Sequence, residues 1–383
     1  MTVHTDSSEL VALRHDLHRH PELQFEEQRT AALVARELAA AGFAVTTGIA
    51  RTGVVGTLRK GTGRRVMGIR ADMDALPIHE TTNLPYASVT PGKMHACGHD
   101  GHTTMLIGLA RRLARTEFDG TVHLIFQPAE EGEGGARHMV EEGLFQRFPC
   151  DGVFALHNIP GVGAGQVMVR GGPITAAVDV LNVTIHGVAG HGAIPHRAVD
   201  PVVAAAAAVM ALQTAVSRNL DPLDAAVVTV GAINGGVMAT AIPEAVTLKI
   251  GLRTVTPDVR VLMKGRIAAL LDGQAKSFGC RAELDWGEGG DYPPGFNDPG
   301  LAALVRQTAL AMGQDAAAVD MRGPFMFSED FAFMQQVVRA CYFGLGNGDS
   351  RALHDPGYDF NDRLLELGPA FWQRLVANFL PVP

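Results

Sequence analysis

Apolar positions recur at helical spacing from the start of the chain. Leu10, Leu13 and Leu17 follow Ser7 and Ser8, either of which can cap a helix. Phe25-Glu26-Glu27 leads into a second run through Ala32, Leu33, Val34, Leu38 and Ala41, and Gly42 closes it. Beyond this point short continuous apolar runs alternate with helical ones. Residues 66–70, 122–126 and 153–156 read as buried strands, with helices at 103–115 and 136–145 between them. This alternation predicts an α/β fold built on a sheet of mostly parallel strands.

The pattern changes near residue 177. A strand at 178–185 is followed by a helix at 201–217, entered through Asp200-Pro201. Two strands, 226–233 and 245–252, are separated by the turn-rich Asn234-Gly235-Gly236, and a helix at 258–278 and a strand at 281–286 complete the set. The order β-α-β-β-α-β is that of a split, ferredoxin-like α+β unit. Pro293-Pro294-Gly295 marks its exit, followed by a helix at 301–312, a loop with Ser328-Glu329-Asp330, a strand at 340–345 and a helix at 363–379. A discontinuous α/β domain, residues 1–176 with 291–383, is therefore expected to carry an inserted α+β domain at 177–290.

Composition narrows the function. At 383 residues, 47% hydrophobic and 19% charged, the chain is long enough for two domains with large cores. The formal charge of −8 offers no basic surface for nucleic acid or anionic membranes. The apolar run at 202–212 is only half a membrane span. Cys97, Cys150, Cys280 and Cys341 form no framework, and the N-terminus lacks the features of a signal peptide. A cytoplasmic protein is expected.

Four polar clusters follow predicted strands: Asp72-Met73-Asp74, Glu130-Glu131, His157, and His354 a short loop beyond the last. A fifth, His95-Ala96-Cys97-Gly98-His99-Asp100-Gly101-His102, precedes the 103–115 helix. Parallel strands deliver their carboxyl ends to one sheet edge, where ligands bind, so these residues can meet in one cleft. Cys97 and His99, two apart at a turn opening a helix, can bind metal jointly, and the helix N-terminus would favour the thiolate. A lone cysteine of this kind is more often simply packed; the histidines beside it shift the balance. Adjacent carboxylates such as Glu130 and Glu131 point in different directions, so one can bind metal while the other holds a proton. His157 and His354 each read singly as structural histidines. Together with Cys97, His99 and one glutamate they supply ligands for two divalent metals sharing a bridge, too few for two closed structural sites. Open coordination positions point to catalysis. A Cys97 nucleophile with a histidine base is the alternative, but it leaves the glutamate pair and the distant histidines without a role.

These residues stand in motifs that resemble the M20 metallopeptidases, in particular the branch of bacterial aminoacylases, hippurate hydrolases and plant auxin-conjugate amidohydrolases. The motifs are GIRADMDALPI, MHACGHDGHT, PAEEGEGGA, the Leu-His of His157, GHGAIPH, SEDF and LHDPGYDFND. The likeness runs from His18-Arg19-His20-Pro21-Glu22-Leu23 to Asp359-Phe360-Asn361-Asp362. It implies Cys97 as a bridging ligand, His99, Glu131, His157 and His354 as the remaining ligands, and Glu130 as general base. Asp72 stands where other branches place a ligand histidine, and Asp74 would orient a ligand. His191, in the insert, would reach the active site of a partner subunit and polarise the scissile carbonyl. Arg253 and the Asn234-Gly235-Gly236 segment would handle the substrate carboxylate. Thr240 occupies a position usually held by asparagine, and a hydroxyl cannot offer two amide donors.

The implied activity is amide hydrolysis of N-acyl amino acids by water activated on two divalent ions, zinc, manganese, cobalt or nickel. The implied assembly is a homodimer or dimer of dimers, with the insert as lid and dimerisation domain. A dipeptidase or carboxypeptidase of the same chemistry is the alternative; a non-catalytic metal-binding protein would have no use for Glu130.

Overall fold

In the computed structural model, which describes residues 7–287 and 291–383, the apolar run after Arg65 forms the central strand, Val66–Asp72, of a seven-stranded sheet. From edge to edge the order is Ala44–Ile49, Gly53–Lys60, Gly120–Gln127, Val66–Asp72, Gly152–Pro160, Ala340–Gly348 and Val167–Met168. The four strands from Gly120–Gln127 to Ala340–Gly348 are parallel. Their residues are buried almost without a break, as strands covered on both faces must be. The two strands on one side and the short one on the other pair antiparallel. The Ala44–Ile49 and Gly53–Lys60 hairpin left no clear trace in the sequence pattern, because Gly48, Gly53 and Gly56 dilute its apolar positions.

Two helices depart from the sequence expectation. The helix expected from residue 103 begins four residues earlier, as His99–Leu113. Gly98, at φ 88°, makes the turn that starts it. A side chain at Gly98 would meet Asn158 Nδ2 at 2.5 Å and the Tyr358 hydroxyl at 2.8 Å, so only glycine fits there. His99 and His102 consequently lie in the first helical turn. The helix expected at 136–145 is split into Gly135–Glu141 and Leu144–Arg147 by Gly143, which has a φ of 83°.

The chain divides into two units, Met1–Ile174 with Phe296–Gly323 and Asp330–Pro383, and Thr175–Gly295 with Pro324–Glu329. The seven-stranded sheet belongs to the first. The second carries a four-stranded antiparallel sheet in the order Ala226–Asn234, Ala245–Thr254, Ala177–His186, Arg281–Asp285. Alternate residues Leu181, Val183, Ile185, Val246, Leu248 and Ile250 bury against the helices Pro201–Asn219 and Pro257–Ser277. Asp200 caps the first helix and Thr256 the second, each accepting a backbone N–H. Pro201–Asn219 is, among the described residues, long and apolar enough to cross a membrane. Ala204, Ala205, Ala208 and Leu212 instead place one of its faces in the core of this unit.

A buried ionic cluster ties the first helix, Ser7–Arg19, to segments that lead to the polar sheet edge. Arg14 donates to Asp100 at 2.8 Å and to Asp359 at 2.6 Å. His18 pairs with Asp100 at 2.8 Å and with Glu80 at 3.2 Å. Burial alone would depress the His18 pKa, but Asp100 and Glu80 outweigh both it and the neighbouring Arg14 and raise it to about 9. The unfolded imidazole titrates near 6.5. The folded value is the higher one, so the contribution of His18 is fully present below pH 6.5 and is lost as pH rises through 9. Urea unfolding should therefore show a stability decline on the order of 3 kcal/mol between these pH values. In His18→Gln that part of the decline should disappear; an unchanged pH dependence would remove His18 as its source.

Candidate metal centre

The parallel strands bring the expected ligands together at their carboxyl edge. Cys97 Sγ lies 3.4 Å from His157 Nε2. His354 Nε2 lies 3.3 Å from Glu131 Oε1, and His99 Nε2 lies 3.9 Å from the same oxygen. Ligand atoms of Cys97, His99 and His157 all fall within 4.8 Å of one another, and so do those of Cys97, Glu131 and His354. The two triads share Cys97. His99 Nε2 and Glu131 Oε1 are buried without a hydrogen bond, although each faces the cluster. Orphaned donor atoms on an imidazole and a carboxylate, in two sets with a common thiol, fit a pair of divalent metals.

Each ligand is held from behind. The His99 Nδ1–H donates to the Asp74 carbonyl at 2.9 Å, which leaves Nε2 as its donor atom toward the cluster. The Asp74 carboxylate accepts the Glu131 N–H at 3.0 Å. Asp74 thus touches both a histidine and a glutamate of the cluster. His157 Nδ1 is bonded to the Asn158 carbonyl at 2.8 Å, so its Nε2 faces Cys97. His354 adopts a φ of 65°, and its N–H is fixed to the Ala96 carbonyl at 2.9 Å. Glu130 is buried, and its Oε1 accepts the Asp330 N–H at 3.4 Å.

Electrostatics favour positive charge here. Burial would lower the His99 pKa, yet Asp72, Asp74 and Glu131 raise it to about 10. Burial opposes ionisation of Glu131, but His354 and His99 bring its carboxyl below the usual glutamate range. Burial and the nearby His102 hold His157 well below 6.5, in the neutral form that can coordinate. The helix N-terminus does not govern Cys97 as the sequence suggested: burial, followed by Glu131 and Glu130, pushes its thiol well above 9. A metal ion must displace that proton.

Asp72, His99 and His102 form another close trio. There Asp72 and His102 are already satisfied. Asp72 is bonded to His102 at 2.7 Å and to Arg70 at 2.7 Å, while His102 Nε2 accepts the Asn158 N–H at 3.0 Å. The trio supports the cluster from outside.

The remaining expected residues lie in the second unit. His191 is exposed, in a two-residue strand pairing with Ala241–Ile242, and its Nδ1 accepts the Ala193 N–H at 3.0 Å. The Thr240 carbonyl accepts the Gly192 N–H at 2.8 Å, which sets Thr240 beside His191 along the chain path. Asn234 ends the Ala226–Asn234 strand and is exposed. Arg253 donates to Ser328 of the SEDF motif.

A sequence model for peptidase family M20/M25/M40 matches residues 68–378. The chain belongs to this family. A hippurate hydrolase of Campylobacter jejuni is 39% identical over 97% of this chain and 97% of its own. An N-acetyl-L-cysteine deacetylase of Bacillus subtilis is 37% identical over 94% of this chain and 85% of its own. A Bacillus subtilis protein described as a dinuclear metal-binding peptidase of the M20 family has a solved structure with a TM-score of 0.84, 30% identity, and 98% coverage of both chains.

For this M20 chain the sequence left several supporting residues unassigned. Arg70, His102, Asn158, Asp330 and Tyr358 all bond within or directly behind the cluster. A signal for one existed: Arg70 is a charged residue inside an apolar strand, which is tolerated only with buried partners. If Cys97 belongs to both triads, Cys97→Ser should bind fewer than two metals per chain and retain little activity. Elemental analysis of the purified protein checks this, and full metal content with full rate would exclude Cys97 from the cluster.

Proposed function

We propose that this M20 chain hydrolyses the amide bond of N-acyl amino acids, using Glu130 as general base beside a two-metal cluster. The observation that carries the reading is the pair of ligand triads sharing Cys97, with the buried Glu130 next in sequence to Glu131, the carboxylate of one triad. Divalent ions held by Cys97, His99, Glu131, His157 and His354, with zinc, manganese, cobalt and nickel all suited to this donor set, would polarise an amide carbonyl and acidify water. Glu130 takes a proton from the attacking water and returns it to the leaving nitrogen. Its anchoring to the Asp330 N–H fixes the direction from which that proton is taken. The substrate class follows from the relatives, a hippurate hydrolase and an N-acetyl-L-cysteine deacetylase. Arg253 offers a planar pair of donors for the amino acid carboxylate. Asn234 and Thr240 line the same reading, with Thr240 supplying a single short hydroxyl where an amide is usual.

The roles of the adjacent glutamates separate by measurement. With N-acetyl and N-benzoyl amino acids as substrates, Glu130→Gln should keep both metals while kcat falls by a factor on the order of 10² to 10⁴. Glu131→Gln should lose metal affinity. The reverse pattern would exchange base and ligand, and turnover of dipeptides alone would favour a dipeptidase.

The insert is proposed to pair with a second copy, giving a homodimer in which His191 of one subunit polarises the carbonyl bound by the other. The exposed strand Ala226–Asn234, at the edge of its sheet, is suited to a two-fold contact. His191→Ala and Glu130→Gln subunits should each be nearly inactive alone. Their co-refolded heterodimer should regain activity at one site; a heterodimer without activity would place His191 outside the reaction.

A further inference from the structure

Glu27 is a fully buried carboxylate at the entrance to the helix Gln28–Ala40, and it caps nothing in that helix by its side chain. Its bonds go elsewhere. Oε1 accepts the Phe25 N–H at 3.0 Å and the Ala129 N–H at 2.9 Å, and Oε2 accepts the Thr52 hydroxyl at 2.6 Å. Three segments distant in sequence therefore meet on one side chain.

All three are strained. Phe25 has a φ of 60°, Ala50 and Arg51 next to Thr52 have 48° and 71°, and Ala129 has 53°. These are four of the six non-glycine residues with positive φ among the described residues. Such conformations are sterically costly and persist only where the surroundings hold them. Ala129 immediately precedes Glu130 and Glu131. Its carbonyl is also held, by the Gly135 N–H at 2.9 Å, and a side chain at Gly135 would meet the Pro128 carbonyl oxygen at 1.7 Å. The same loop reaches the site twice more: Gln24 donates to the Glu131 carbonyl at 3.1 Å, and the Glu22 carbonyl accepts the Ala75 N–H at 2.8 Å.

We infer that Glu27 is a positioning residue for the glutamate pair, holding Ala129 in the left-handed conformation from which Glu130 and Glu131 are aimed. The inference rests on the roles given above to Glu130 and Glu131. Burial, reinforced by Asp74, pushes the Glu27 carboxyl up to about 7, an environment unfavourable to a charge. Packing alone would be served better by an apolar side chain of the same size. What an apolar side chain lacks is the acceptor for the Ala129 N–H.

Three variants of the full chain test this, each assayed for kcat, KM, bound zinc and Tm. Glu27→Met keeps the volume and removes the acceptor; kcat should fall on the order of 10²-fold, the size expected from a misplacement near 1 Å, with KM within about twofold. Glu27→Gln keeps an acceptor oxygen and should retain more than about a third of kcat, because Thr52 can accept from the amide as readily as it donates. Glu27→Met combined with Ala129→Gly should recover at least about tenfold over Glu27→Met, since glycine adopts positive φ without being held. A role in packing or stability would lower Tm without this recovery. Wild-type kcat in Glu27→Met, no recovery in the double variant, or loss in Glu27→Gln as deep as in Glu27→Met would each overturn the inference. If Glu27→Met does not fold, Glu27→Leu takes its place, alone and with Ala129→Gly, in the same comparisons. Failure of the wild-type enzyme on every N-acyl amino acid would instead reject the proposed function and leave the zinc content of the variants to report on Glu131.

Discussion

Asp72 is a carboxylate with no access to water, and the polar edge of the sheet hangs from its two oxygens. One is bonded to Arg70 and the other to His102, each at 2.7 Å. A buried charge without partners is prohibitively costly, so Arg70 must lie against it and in turn needs further acceptors. It finds them in Gln127 at 2.7 Å and Asp330 at 3.1 Å. Asp330 accepts from Gln127 and from the Ala136 N–H, each at 2.8 Å, and gives its own N–H to Glu130. In the other direction His102 accepts from Asn158, which fixes the Cys97 carbonyl at 2.7 Å and is itself held by Tyr358. A single run of bonds therefore joins the backbone of Cys97 to the proposed base. With no water available to replace a lost partner, each bond in it constrains the next.

This ladder also explains which parts of the site could be read from the sequence. Glu130, Glu131 and His157 announced themselves because polar residues directly after apolar strands are unusual, Cys97 and His99 because histidines crowd around them before a helix, and His354 by lying a short loop beyond a strand; the parallel order of the strands predicts that they converge. The second row gave no such local sign. Asp330 lies in a loop more than two hundred positions from Gln127 along the chain, and its partners are fixed only by the fold. Tyr358 and Asn158 are ordinary residues until Gly98 lets the chain pass close to both. Helix starts failed for a related reason: the 103–115 pattern marks the apolar stripe, whereas the helix begins at the turn made by Gly98, before that stripe. The hairpin at Ala44–Ile49 and Gly53–Lys60 escaped because its glycines weaken the strand pattern, and its place comes from pairing with Gly120–Gln127.

The division of the carboxylates into two kinds follows from where their charge is balanced. Asp72, Asp100 and Asp330 are answered by protein cations or by backbone N–H groups, and they are spent on structure. Glu131 and Asp74 face His99; Asp72, Asp74 and Glu131 outweigh burial and raise that imidazole far above its ordinary range, while burial, followed by Glu131 and Glu130, keeps the Cys97 thiol protonated. The same field that attracts protons attracts divalent cations, and two such ions bring more positive charge than the displaced protons remove. The cluster is thus built with a surplus of negative charge on one side and a rigid, neutralised ladder on the other. Were the ladder also charged in excess, the carboxylates would repel and the ligand geometry would relax.

Backbone strain completes this arrangement. His354 and Ala129, at φ 65° and 53°, flank the cluster from loops that follow two different parallel strands. A relaxed loop leaving a strand continues outward, away from the neighbouring strand ends. A left-handed residue reverses the path within one step, so the next side chains turn back over the sheet edge. Glycine would make the same turn without strain, but it would leave the turn free to open. A non-glycine residue whose N–H is claimed, by Ala96 at His354 and by Glu27 at Ala129, makes the turn and keeps it closed. The cost in local stability is met by the large parallel core beneath, which can hold strained turns at its rim because its own strands are buried on both faces.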